Sequence, residues 1–167
     1  MTWGAARWPF LRSPVFVAAA AAIAVAALGG AATDVGPWYQ ALRKPAWQPP
    51  DWLFGPVWTL IYALTALSAV KAWRAAPDRR TRERILVLFA VNALLNVAWS
   101  ELFFGLRRPD WAGIEAVPFW LSIAALMAAV WPVSRAAAWL LLPYLAWVGF
   151  ATALNWAVVR LNAPIGA

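Results

Sequence analysis

WYQALRKPAWQPPDWLFGPVWTLIY, residues 38–62, places Trp38, Trp47, Trp52 and Trp58 among Pro45, Pro49, Pro50 and Pro56, with Pro37 just before it. Proline removes backbone donors and fixes φ, so much of this stretch cannot run as ordinary helix, and the tryptophans give it rigid aromatic surface. A connecting loop is usually polar and mobile. This one is stiff and carries flat faces, which suits it to cover a cavity or to grip a flat ligand. It reads as a lid, and the segments around it determine what it covers.

Those segments are apolar. The chain is 64% hydrophobic and 13% charged, with a mean hydropathy of +0.65, too little polar surface for a water-soluble domain of 167 residues. The 14 Lys and Arg against seven acids cluster between the apolar runs and form no stripe, so loops facing anionic lipid explain the charge and a nucleic-acid partner is not expected. Histidine and cysteine are both absent. This removes disulfides, thiolate chemistry, a histidine base and the usual zinc and haem ligands, so no metal site and no obligatory cofactor are expected.

Five runs are long enough to span a bilayer: about residues 14–33, 53–73, 85–104, 111–131 and 136–159. The fold class is therefore an all-α integral membrane protein, a single five-helix bundle with a long Trp/Pro-rich first loop. The first run, about twenty residues, exceeds a signal-peptide core and reads as a retained helix. Its alanines and Gly29-Gly30 are either a close-packing face or plain Ala-rich helix. Residues 160–167 read as a short tail.

Polar groups recur at helical spacing inside these runs. Asn92, Asn96 and Ser100 share a face of the third span, Trp58, Tyr62, Thr65 and Ala69 one of the second, and Tyr144, Trp147, Ala151 and Asn155 one of the fifth. Inside a bilayer such groups must face protein or ligand. Together they predict an apolar cavity with sparse orienting groups, suited to a flat hydrophobic molecule. Pro143 is expected to bend the fifth span. Glu101 reads either as an interfacial partner of Arg107 or Arg108 or as a ligand or proton group. Glu115 suits the first turn of the fourth span.

Other features have plainer readings. Trp3, Trp8, Trp73, Trp111, Trp131 and Trp139 fit interfacial anchors, while Trp47, Trp52 and Trp147 are open to an anchoring or a ligand role. The stretch from Lys71 to Arg84 is a charged connector or a lipid-headgroup site. Arg7, Arg12, Lys71, Arg74, Arg79, Arg80, Arg82, Arg84 and Arg135 outweigh Arg43, Lys44, Arg107, Arg108 and Arg160 across the membrane. The positive-inside rule then puts the N-terminus in the cytoplasm and the Trp/Pro loop on the far face. Ala and Arg richness points to a bacterial host, in its inner or outer membrane.

The run Trp38-Tyr39, Lys44-Pro45-x-Trp47-x-Pro49-Pro50-x-Trp52, Gly55-Pro56-Val57-Trp58 and Tyr62 resembles the first-loop signature of the TspO/MBR family. These are tryptophan-rich sensory proteins related to the mitochondrial translocator protein, or peripheral benzodiazepine receptor. Asn92, Asn96, Trp99 and Phe103-Phe104-Gly105, then Pro143-Tyr144-Leu145-Ala146-Trp147, Phe150-Ala151-Thr152 and Leu154-Asn155, extend the resemblance over nearly the whole chain.

The resemblance implies a five-helix bundle, expected as a homodimer, that binds protoporphyrin IX, haem-like tetrapyrroles, sterols or benzodiazepine-site ligands under the first loop. The ligand-binding residues expected are Trp47, Trp52, Trp58, Tyr62, Asn92, Asn96, Trp99, Tyr144, Trp147 and Asn155; of these the resemblance implies Trp52 and Trp147 as pocket tryptophans and Asn92 or Asn96 lining the same pocket. Trp52 and Trp147 would be the pair associated with light-dependent porphyrin breakdown. Leu154-Asn155-Trp156 followed by Arg160 departs from the animal sterol motif, and Glu101 stands where many relatives are uncharged. A non-enzymatic sensor or regulator is the first reading. A porphyrin-degrading photoenzyme and a transporter of porphyrin or sterol-like ligands are the alternatives.

Overall fold

The computed structural model describes residues 13–163; Trp3, Arg7, Trp8 and Arg12 lie outside them. Helices α1 (Pro14–Ala32), α2 (Pro37–Ala41), α3 (Asp51–Ala75) and α4 (Arg79–Ser100) are followed by a π-helical turn at Glu101–Gly105. Then come α5 (Pro109–Val130), α6 (Arg135–Leu140) and α7 (Leu142–Leu161). Among the described residues five spans are long and apolar enough to cross a membrane, the fifth formed by α6 and α7 together. The protein is an all-α, five-span membrane bundle.

Helix starts follow local chemistry. Pro14, Pro37, Pro109 and Pro143 stand in first turns, where a missing N–H breaks no helical bond. The Asp78 carboxylate accepts from the Thr81 N–H at 2.8 Å, and Ser134 caps the Ala137 N–H at 3.2 Å. The Asp78 cap makes the arginine-rich run helical from Arg79, with Arg79 and Glu83 paired at 2.6 Å one turn apart. The charged connector therefore shrinks to residues 76–78, and α4 begins six residues before the apolar run does. Pro143 ends up in the first turn of α7, behind a break at Leu141, and not inside a bent helix. The seventh helix continues to Leu161, into the stretch expected to be tail.

In section the bundle is a ring. Helix α1 packs on α3 and α4, α3 on α6, α6 and α5 on α7, and α5 on α4. Ile61, Ile123, Leu126, Val130, Leu141 and Val148 fill the core between α3, α5, α6 and α7. Burying each such side chain is worth about 1.5–3 kcal/mol relative to water, although in lipid the gain is close packing. Helix α1 stands apart from this core. Of its residues only Gly29 is buried, and the space it leaves against α3 and α4 becomes the site.

Candidate functional site

A cavity of about 710 Å³ lies between α1, α3, α4 and α7 beneath the first loop. Small residues of α1 (Ala19, Ala22, Ala26, Gly29, Gly30) form one wall, and Phe54, Trp58, Tyr62 and Ala66 of α3 form the next. Asn96, Trp99, Ser100, Phe103 and Phe104 form the third, and Trp147, Ala151, Leu154 and Asn155 of α7 close it. The alanines and glycines explain the volume: a larger α1 would fill it.

The roof is a polar lock. The Tyr39 hydroxyl donates to Asp51 at 3.1 Å, Gln48 Nε2 donates to Asp51 at 3.1 Å, and Lys44 Nζ lies 3.7 Å from the same carboxylate. The Lys44 ammonium also sits 3.6 Å above the Tyr39 ring. Burial first, and then the Asp51 charge, push the Tyr39 hydroxyl up to about 12. Two bonds tie the loop to the far end of α7: the Arg43 N–H donates to Asn162 Oδ1 at 2.9 Å, and Asn162 Nδ2 donates to the Arg43 carbonyl at 2.8 Å. Trp38 meets Phe103 edge-on at 5.9 Å, and Tyr39 leans on Phe104 at 5.7 Å. The loop thus rests on the π-helical turn.

At the cavity floor a hydrogen-bonded file crosses the bundle. Tyr62 donates to Asn96 Oδ1 at 3.0 Å, Asn96 Nδ2 to the Tyr144 hydroxyl at 3.3 Å, and Tyr144 to Asn92 Oδ1 at 3.1 Å. Asn92 Nδ2 donates to Ser122 at 2.8 Å, and Ser122 to the Phe119 carbonyl at 2.7 Å. Three buried side chains of this file would each be expensive to leave unpaired in lipid, and each has its partner. Two wall groups do not: Trp147 Nε1 and Asn155 Oδ1 are buried without a partner. Asn155 uses its other end, donating from Nδ2 to the Pro109 carbonyl at 2.7 Å.

Of the residues expected to bind ligand, Trp58, Tyr62, Asn96, Trp99, Trp147 and Asn155 stand on the cavity wall. Asn92 and Tyr144 lie one step below, on a neighbouring cavity. Trp47 and Trp52 are on neither wall. Trp52, at the second position of α3, is 72% exposed, and Trp47 packs on Phe150 at 5.7 Å. Trp52 and Trp147 are therefore not brought together around the cavity. Glu101 makes no ion pair among the described residues; Arg108 pairs with Asp110. The π-helical turn moves Glu101 outward, over Gly105. Sequence reasoning missed the roof residues Tyr39, Lys44, Gln48 and Asp51 and the wall residues Phe54, Phe103 and Phe104. The signals for the roof were the lid-like loop itself, the place of Tyr39 and Lys44 in its signature, and charge of both signs inside a proline-rich stretch.

Among the described residues no three His, Cys, Asp or Glu side chains gather as metal ligands. The TspO/MBR family model matches residues 16–161. The chain is 39% identical over 125 residues to the tryptophan-rich protein TspO of Chlorobaculum tepidum, covering 75% of this chain and 79% of that protein. It is 34% identical over 148 residues to the tryptophan-rich sensory protein of Cereibacter sphaeroides (89% and 91% covered). It is also 38% identical over 126 residues to the human translocator protein (75% and 75% covered).

Proposed function

This chain belongs to the TspO/MBR family, and from that premise we propose that it is a membrane sensor that binds a tetrapyrrole, protoporphyrin IX or a haem-like ring, or another flat hydrophobic ligand under its first loop. The observation that carries the reading is the cavity of about 710 Å³. It falls in the range of about 300–1,000 Å³ typical of small-molecule sites. Its aromatic walls suit a planar ring. Lys44 at the roof can turn from Asp51 to a ligand carboxylate. Occupancy then competes with the polar lock, and loop order becomes the output read by a partner. With neither His nor Cys in the chain, a porphyrin is held by stacking and edge contacts. The sensory and translocator names of the relatives agree with a binding role. A homodimer with a cytoplasmic N-terminus accompanies this reading.

Quenching of tryptophan fluorescence by protoporphyrin IX in detergent, in the dark, tests it. Saturable quenching is expected, weakened at least about tenfold in Ala151→Phe, because a ring placed in the wall excludes the ligand. Unsaturable quenching, or an unchanged curve in Ala151→Phe, overturns the reading.

Light-driven porphyrin breakdown is a second reading, favoured by one observation. Trp147 is flanked by Phe54 at 5.6 Å and Phe150 at 5.5 Å, and Phe150 touches the half-exposed Trp47, a line of rings from cavity to surface. Under illumination Trp147→Phe should then abolish new absorbing products, whereas Trp52→Phe, whose ring lies outside the cavity, should not.

A further inference from the structure

A second cavity, about 300 Å³, lies between α1, α3 and α4 at the end of the bundle away from the first loop. It runs from Trp73 and Ile85 up to Tyr62 and Asn96. The eleven helical steps from Tyr62 to Trp73 make it about 16 Å long at about 1.5 Å per step. That is about half of a hydrocarbon core about 30 Å thick, the depth of one leaflet. Its walls are almost wholly apolar, and Val17, Ala21, Leu86 and Ala90 on its lips are exposed, so it opens sideways toward lipid.

The mouth carries a charge that has no ion-pair partner among the described residues. The Arg82 guanidinium lies 5.6 Å from the Trp73 ring. Its Nη2 donates to the Ala76 carbonyl at 3.4 Å, and its Nε is buried without a partner. The carboxylates nearby are engaged elsewhere: Asp78 caps Thr81, and Glu83 pairs with Arg79. Among the described residues no carboxylate lies within ion-pair distance of Arg82. Lys71, Arg74, Arg80 and Arg84 lie within eleven positions of it in the chain and carry further positive charge.

We propose that this groove is a binding site for one anionic phospholipid, with an acyl chain between α1, α3 and α4 and the phosphate at Arg82. Charge complementarity selects the headgroup, and a groove of one-leaflet depth selects the tail. The site is separate from the cavity under the first loop, although Tyr62 and Asn96 stand between the two.

Native mass spectrometry of the full chain in detergent tests the proposal, with dioleoyl phosphatidylglycerol, dioleoyl phosphatidylcholine and inorganic phosphate as probes. One retained phosphatidylglycerol per chain is expected, bound more tightly than phosphatidylcholine. Arg82→Gln should reduce that preference about fivefold, the worth of one basic residue near a phosphate. Ala69→Trp, filling the groove, should remove the retained lipid while protoporphyrin IX still quenches. If Ala69→Trp fails to fold, Ala18→Phe fills the groove from the opposite wall. Equal retention of the two lipids, an unchanged preference in Arg82→Gln, or lipid retained in a folded groove-filling variant overturns the proposal. Displacement of the lipid by inorganic phosphate alone identifies an anion site without a tail groove and overturns it as well.

Discussion

Tyr144 is the residue on which the buried polar file depends. It accepts from Asn96 and donates to Asn92, so Tyr144→Phe strands an amide on each side in a place water does not reach. We expect a loss of about 1–3 kcal/mol, read as a lower unfolding midpoint in detergent. Tyr39 carries a pH response of the opposite location, at the roof. Its hydroxyl is raised from 10.0 to about 12 by burial and by Asp51, so its contribution to the lock is complete below about pH 10 and is lost as pH rises toward 12. A tyrosinate absorbance titration of the native chain minus Tyr39→Phe should show a midpoint near 12; a midpoint at 10 would mean that the roof does not enclose it. Asn92, Asn96 and Ser100 were legible from spacing alone, because a period of 3.6 survives any neighbour. The outward direction of Trp52 was not, since a tryptophan next to prolines reads the same whether it faces a cavity or the membrane.

The first loop is held by two different chemistries, a charge cluster at Asp51 and an amide clasp between Arg43 and Asn162. Asn162→Ala removes both bonds to Arg43 and leaves the cluster in place. Amide exchange at Arg43 should accelerate by about tenfold, equivalent to about 1.4 kcal/mol, while exchange in the α3 core stays unchanged. The spans themselves were legible from hydropathy. Their ends were not, because a helix continues as long as its caps and side chains allow: Asp78 carries α4 into an arginine run that hydropathy reads as connector. The short α2 was hidden for the reverse reason, five residues started by Pro37 and too brief to show a period. The π-helical turn also escaped detection. It inserts an extra residue into the register after Ser100, so extending the Asn92-Asn96-Ser100 face would misplace Glu101 and Phe104.

At the scale of the molecule, a ring of helices closed on one side by a tight core and on the other by the alanine-rich α1 leaves its free volume off centre. Ligand binding should therefore stabilise the whole bundle, since an occupant joins α1 to α3, α4 and α7. At about one hundred times its dissociation constant a ligand adds about 2.7 kcal/mol. A raised unfolding midpoint with protoporphyrin IX, absent in Ala151→Phe, is the expected result. The five-span architecture followed from composition and segment length. A cavity between the second, third and fifth spans was expected from their polar stripes; that α1 supplies a wall of it was not, because which face of an alanine helix meets its neighbours is not encoded in a run of identical side chains.

The file from Tyr62 to Phe119 has an arrow. Each hydroxyl and amide in it gives its proton toward α5, so the end at the upper cavity presents a lone pair and no hydrogen. A guest arriving with an N–H finds an acceptor ready at Tyr62. A guest arriving with a carbonyl takes the Tyr62 proton only by leaving Asn96 Oδ1 without its donor, or by turning over two phenols, two amides and a serine together, which strips the Phe119 carbonyl of its donor instead. Two molecules of equal shape would thus be told apart by the sense of a single hydrogen bond, because either route leaves one buried acceptor of the file, at Asn96 or at Phe119, without its proton.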